Sequence, residues 1–99
     1  MDSEWGLARL AECRTLIDEV DLKLLALLNE RTRIVQEIGR VKHNLTLPIY
    51  EPKREEQVFD NITSHNSGPL THEAVKRVFE RIIDEMRTIQ QQRMQHPEE

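Results

Sequence analysis

The chain is poor in the residues on which many folds and reaction chemistries depend. It has one cysteine, Cys13, so no disulfide can form within it and no thiolate pair is available to a metal. Its four histidines, His43, His65, His72 and His96, lack the spacing of zinc ligands. There is no phosphate-binding loop, dinucleotide fingerprint or nucleophile elbow. No basic run of five or more residues occurs and the net charge is −4, so nucleic acid is not an expected partner. No apolar stretch approaches the roughly 18 residues of a membrane span. The acidic start Met1-Asp2-Ser3-Glu4 lacks a signal peptide's basic and apolar segments, so a cytoplasmic protein is expected, without membrane partners. No strand candidate is longer than Leu45 to Tyr50, and no internal repeat is present. With 37% hydrophobic residues and four aromatics, a lone chain of 99 residues would have a thin core, which favours oligomerisation.

What is present is helical periodicity. Leu10, Cys13, Ile17, Val20, Leu24, Leu27, Arg31, Ile34, Ile38 and Val41 recur at alternating intervals of three and four. Such a heptad seam predicts one continuous helix over about residues 5–43. At ~1.5 Å per residue it would be roughly 60 Å long. A compact domain of this size has a radius of gyration of only about 13 Å. The seam is therefore expected to be buried against a second protomer, with Cys13 packing as a small apolar residue. Pro48 stops that helix and Pro52 suits the first position of a second one, expected over about 52–64, with Val58, Phe59 and Ile62 on its apolar side. The breakers His65-Asn66-Ser67-Gly68-Pro69 follow, and Thr71 is a good N-cap for a third helix over about 71–95. Its apolar stripe is Val75, Val78, Phe79, Ile82, Ile83, Met86 and Ile89. The expected class is all-α: a single domain, residues 1–99, with one very long N-terminal helix and two shorter ones, assembled as an intertwined helical homodimer.

Several residues do not suit a plain bundle. Arg31 occupies a seam position, where an unpaired cation is costly; it either snorkels to a carboxylate or meets an anionic ligand. Lys42 lies eleven residues on, within about 20° of the same helix face. It is either a solvated lysine at a helix end or the second arm of an anion clamp. Arg54 stands in the first turn of helix 2, where the dipole disfavours a cation, and either faces solvent or joins that clamp. Gln90 continues the apolar stripe of helix 3; its amide bonds a neighbour, marks an exposed helix end, or is aimed at a ligand. Arg14, seventeen residues before Arg31, is too far along the helix to share one small ligand with it unless a second protomer delivers it. Gly39 allows either close helix packing or room for a ligand beside Lys42. Cations and amides without an evident nucleophile suit a reaction driven by positioning and electrostatics.

In order and spacing the chain resembles the all-helical class of chorismate mutases. The resemblance rests on Arg14-x2-Ile17-Asp18-x2-Asp21-x2-Leu24-Leu25-x-Leu27-Leu28-x-Glu30-Arg31, Ile38-Gly39-x2-Lys42, Pro48-Ile49-Tyr50-Glu51-Pro52-x-Arg54-Glu55, and Ile82-Ile83 followed by Gln90. It covers about residues 8–92 and implies an intertwined dimer of three-helix protomers with active sites shared between chains. The implied reaction is the [3,3]-sigmatropic rearrangement of chorismate to prephenate, with no cofactor and no metal. The implied roles are as follows: Arg14 of the partner protomer and Arg31 hold the side-chain carboxylate, and Arg54 holds the ring carboxylate. Lys42 and Gln90 donate to the ether oxygen, while Glu55 accepts from the ring hydroxyl, helped by backbone at Glu51. Two positions depart from the family pattern. Met86 stands where some relatives have a small polar residue near that hydroxyl, and Glu51 where aspartate is frequent. Some small relatives dock on the first enzyme of the shikimate pathway, which adds a second kind of partner. Two rival readings are an isochorismate-pyruvate lyase of the same fold and a non-catalytic helical dimer or regulatory module.

Overall fold

The computed structural model describes residues 2–95. Among them it is all-helical, with α1 at Ser3–Leu45, α2 at Pro52–His65 and α3 at His72–Gln95. The chain divides into two compact units, Met1–Arg33 and Ile34–Glu99, and α1 contributes to both.

The ends of α1 lie two residues beyond the expected 5–43, and each extension has a local cause. At the start, Asp2 Oδ1 accepts a hydrogen bond from the Trp5 backbone N–H at 2.7 Å. It thereby satisfies one of the helix's orphan donors, and Glu4 adds negative charge in the first turn. At the far end the chain closes in a Schellman turn. The Leu47 N–H donates to the Lys42 carbonyl at 2.8 Å and the Thr46 N–H to the His43 carbonyl at 3.2 Å. Thr46 takes the left-handed conformation this turn demands, with φ 58°. Pro48, next but one, cannot carry the helix further.

In the first unit, no described residue is buried. Leu10, Ile17, Val20, Leu24 and Leu27 are exposed, while Cys13 is half-buried with a free thiol. The apolar seam is real in register but has no core beneath it within its own unit.

The second unit has a core. The last turns of α1 bury Val35, Gly39 and Lys42, which share one helical face at spacings of four and three. From α3 come Val75, Ile83, Met86 and Gln90. Val78 is an exception to the expected stripe: at ~100° per residue it lies about 90° round the helix from the stripe's centre, and it is exposed. Helix α2 packs against α3, with Val58, Phe59 and Ile62 half-buried and no fully buried residue. Thr71 caps α3, its Oγ1 accepting from the Ala74 N–H at 3.0 Å. Between α2 and α3 the Asn66 side chain organises the turn. Its Nδ2 donates to the Leu70 carbonyl at 2.9 Å, and its Oδ1 accepts from the Gly68 N–H at 3.0 Å. Gly68 has φ +82°, a conformation that glycine adopts without a steric penalty.

Candidate functional site

Lys42 sits where α1 ends, and the Schellman turn directs the chain back over it. Its Nζ donates to the Ile49 carbonyl at 3.0 Å and lies 3.6 Å from Glu51 Oε2. The residue is 7% exposed, so the solvated-lysine reading does not hold. An ammonium has three donors. One of them is taken by the Ile49 carbonyl, and the Glu51 carboxylate stands at ion-pair distance on the same connection between α1 and α2. Glu51 occupies the N-cap position of α2 yet makes no side-chain cap bond; its carboxylate serves Lys42 instead.

Gly39, one turn before Lys42, is the point of approach to α3. A Cβ built there would meet Gln90 Cγ at 3.6 Å and Gln90 Cα at 3.9 Å, and all its nearest atoms belong to that residue. The close-packing reading of Gly39 therefore describes the contact. Gln90 is 8% exposed, which excludes an exposed helix end. Among the described residues no hydrogen bond to its side-chain amide is seen, and its contact with Gly39 is made through Cα, Cβ and Cγ. Met86 is buried one turn earlier on α3.

Glu55, in the first turn of α2, is reached from α3. Arg87 Nη2 donates to Glu55 Oε2 at 2.6 Å, and Arg87 Nη1 approaches Asp84 Oδ1 at 3.4 Å. The guanidinium carbon lies 5.1 Å from the centre of the Tyr50 ring, a cation–π distance. The hydrogen bond to Glu55 is the chief cause raising the already high pKa of Arg87, so it stays charged. Glu51 and Glu55 are one turn apart, joined by the Glu55 N–H to the Glu51 carbonyl at 3.0 Å. The Lys42–Glu51 and Arg87–Glu55 ion pairs are thus joined through the first turn of α2, with Gln90 one turn beyond Arg87 on α3.

Arg54 is not drawn into either pair. It is exposed on the first turn of α2 and donates to Gln57 Oε1 at 3.4 Å on its own helix. Arg14, exposed, and Arg31, half-buried, belong to the first unit. Arg87 carries no local signal in the sequence. It lies 32 residues from Glu55, and no local spacing rule connects positions on facing helices. Among the described residues no group of three or more His, Cys, Asp or Glu side chains could hold a metal ion, and no helix is long and apolar enough to cross a membrane.

Residues 13–91 match the family model of chorismate mutase type II. The chain belongs to the type II chorismate mutases. The matched span contains Arg14, Arg31, Lys42, Glu51, Arg54, Glu55, Met86, Arg87 and Gln90. The chorismate mutase of Methanocaldococcus jannaschii is 32% identical over 85 residues, covering 85% of this chain and 86% of its own length. The solved chorismate mutase of Thermus thermophilus (Form II) superposes with a TM-score of 0.83 at 38% identity, over 84% of this chain and 94% of that one. The chorismate mutase of Helicobacter pylori, solved in complex with prephenate, gives a TM-score of 0.83 at 26% identity, over 89% and 96% of the two chains. Among bifunctional relatives the chain spans far less: 22% of the chorismate mutase/prephenate dehydratase of Aquifex aeolicus. As a type II chorismate mutase the chain is an isomerase with that family's helical fold.

Proposed function

We propose that the chain rearranges chorismate to prephenate in aromatic amino acid biosynthesis, and that a buried ammonium and a buried amide carry the reaction. The observation supporting this reading is Lys42, nearly enclosed and held by Ile49 and Glu51, with Gln90 brought alongside its helix at Gly39. The reaction breaks a C–O bond while a C–C bond forms, and negative charge grows on the ether oxygen. Lys42 and Gln90 donate to that oxygen. Because Lys42 is held by Ile49 and Glu51 before substrate arrives, little reorganisation of that donor is needed as charge develops. Arg14 of a second copy and Arg31 grip the side-chain carboxylate, and Arg54 the ring carboxylate, since guanidinium forks match carboxylates at two points. The clamp converts a flexible substrate into a near-attack conformer. Glu55 accepts from the ring hydroxyl. The working form is a homodimer with shared sites. The absence of any buried described residue in the first unit supports it, since that seam needs a cover. The proposed setting is the cytoplasm, with docking to the first enzyme of the shikimate pathway as a further partnership.

Purified chain incubated with chorismate is expected to form prephenate. Lys42→Ala should lower kcat on the order of a hundredfold or more, the cost of removing one preorganised donor. Activity within threefold of the parent would remove Lys42 from this role. Salicylate and pyruvate formed from isochorismate, without prephenate from chorismate, would assign the lyase reaction instead.

A further inference from the structure

Arg87 has no task in the reaction proposed above, yet it is held from three directions. Nη2 bonds Glu55 Oε2 at 2.6 Å, Nη1 lies 3.4 Å from Asp84 Oδ1, and the guanidinium rests on the Tyr50 ring. The pose leaves Arg87 Nε enclosed without a hydrogen-bond partner. A guanidinium free to choose its surroundings would fill its donors. This one gives up a donor and keeps the short bond to Glu55.

The consequence falls on Glu55. A glutamate in the first turn of a helix has several rotatable bonds and would lose that freedom on meeting a substrate hydroxyl. Here one oxygen, Oε2, is already fixed. Among the described residues nothing else bonds the carboxylate, so Oε1 is presented in a set direction. Met86, the buried neighbour of Arg87, has only a thioether and is a poor substitute acceptor.

We propose that Arg87 is a positioning residue: it clamps Oε2 of Glu55 so that Oε1 accepts from the ring hydroxyl, and so sets the preference for a hydroxylated ring acid. The role rests on the chorismate reading and deepens it. It separates from simple helix packing by substrate, because only a hydroxyl-bearing substrate uses the clamped oxygen.

The test compares kcat/KM for chorismate with that for its analogue bearing hydrogen in place of the ring hydroxyl. Arg87→Met should lower the chorismate value on the order of tenfold, mostly through KM, and leave the analogue within about threefold. Arg87→Lys, which keeps the charge and can still donate to Oε2 but lacks the planar fork, should recover part of that loss. In a Glu55→Gln background, Arg87→Met should cause no further loss of preference. Equal losses on both substrates, or no change in their ratio, would overturn the role. If Arg87→Met does not keep the parent's helical circular dichroism, Arg87→Lys decides: an intermediate ratio supports the clamp and an unchanged one refutes it. A parent that does not turn over chorismate would overturn the underlying activity and this role together. An active parent with equal losses would overturn this role alone.

Discussion

Gln90 shows how much one uncharged side chain can decide. It is buried on an otherwise apolar stripe, against Gly39 and one helix turn from Met86. An amide donates at every pH. A glutamate in its place must be protonated to donate, and an ordinary glutamate titrates near pH ~4.3. Gln90→Glu should therefore depress turnover at neutral pH and restore it as pH falls, moving the optimum of kcat toward acid. A pH–rate profile that keeps the parent's shape would contradict donation to the ether oxygen. Gln90 was legible as a misfit because it interrupts an apolar stripe, whereas Lys42 suits a helix end and stood out only because it shares a face with Arg31. Arg87 breaks no such rule. It became visible only when folding set α3 against α2 and put Glu55 within 2.6 Å of it. Arg54, also suspected from its place in a first turn, lies exposed beside Gln57. A dipole argument identifies an unfavourable position for a cation but not what compensates it.

Between residue and fold, the decisive element is the end of α1. Periodicity and the prolines were enough to anticipate three helices, because each rule acts within a few residues. The exact ends depended on caps outside the periodic pattern: Asp2 at the start, and the Thr46–Leu47 turn at the finish. That turn fixes the carbonyl of Lys42 and sends the connection back to meet its ammonium. It does so through a β-branched residue at φ 58°, where L-residues other than glycine and asparagine are disfavoured. Thr46→Asn keeps a side chain that tolerates this conformation without the chain entropy cost of glycine. It should stabilise the fold by about 1 kcal/mol. For a domain of this size that means a rise of roughly 4–8 °C in Tm. A lowered Tm in thermal unfolding by circular dichroism would show that the threonine is favoured there for a reason other than backbone conformation.

Across the whole chain, the heptad seam could be read in advance, but what covers it could not. Periodicity tells which face is apolar and is silent on the identity of the opposing surface. Within the first unit, Ile17, Val20, Leu24 and Leu27 are all more than half exposed, as are Leu22 and Leu25 off the seam. Apolar surface on that scale is costly in water. A second copy is the partner proposed, and it would carry Arg14 to a site whose Lys42 belongs to the other chain. The arrangement makes a prediction that folding alone would not. Arg14→Ala and Lys42→Ala chains, each inactive by itself, should regain activity when unfolded together and refolded as a mixture. In a mixed dimer one site draws both mutations and the other draws neither. Random pairing makes half the dimers mixed, so about one quarter of the parent's sites should be intact. Native mass spectrometry can establish that mixed dimers are present, and prephenate formation then reports on the sites. Mixed dimers without activity would mean that Arg14 serves the pocket of its own chain, and the shared site would have to be abandoned.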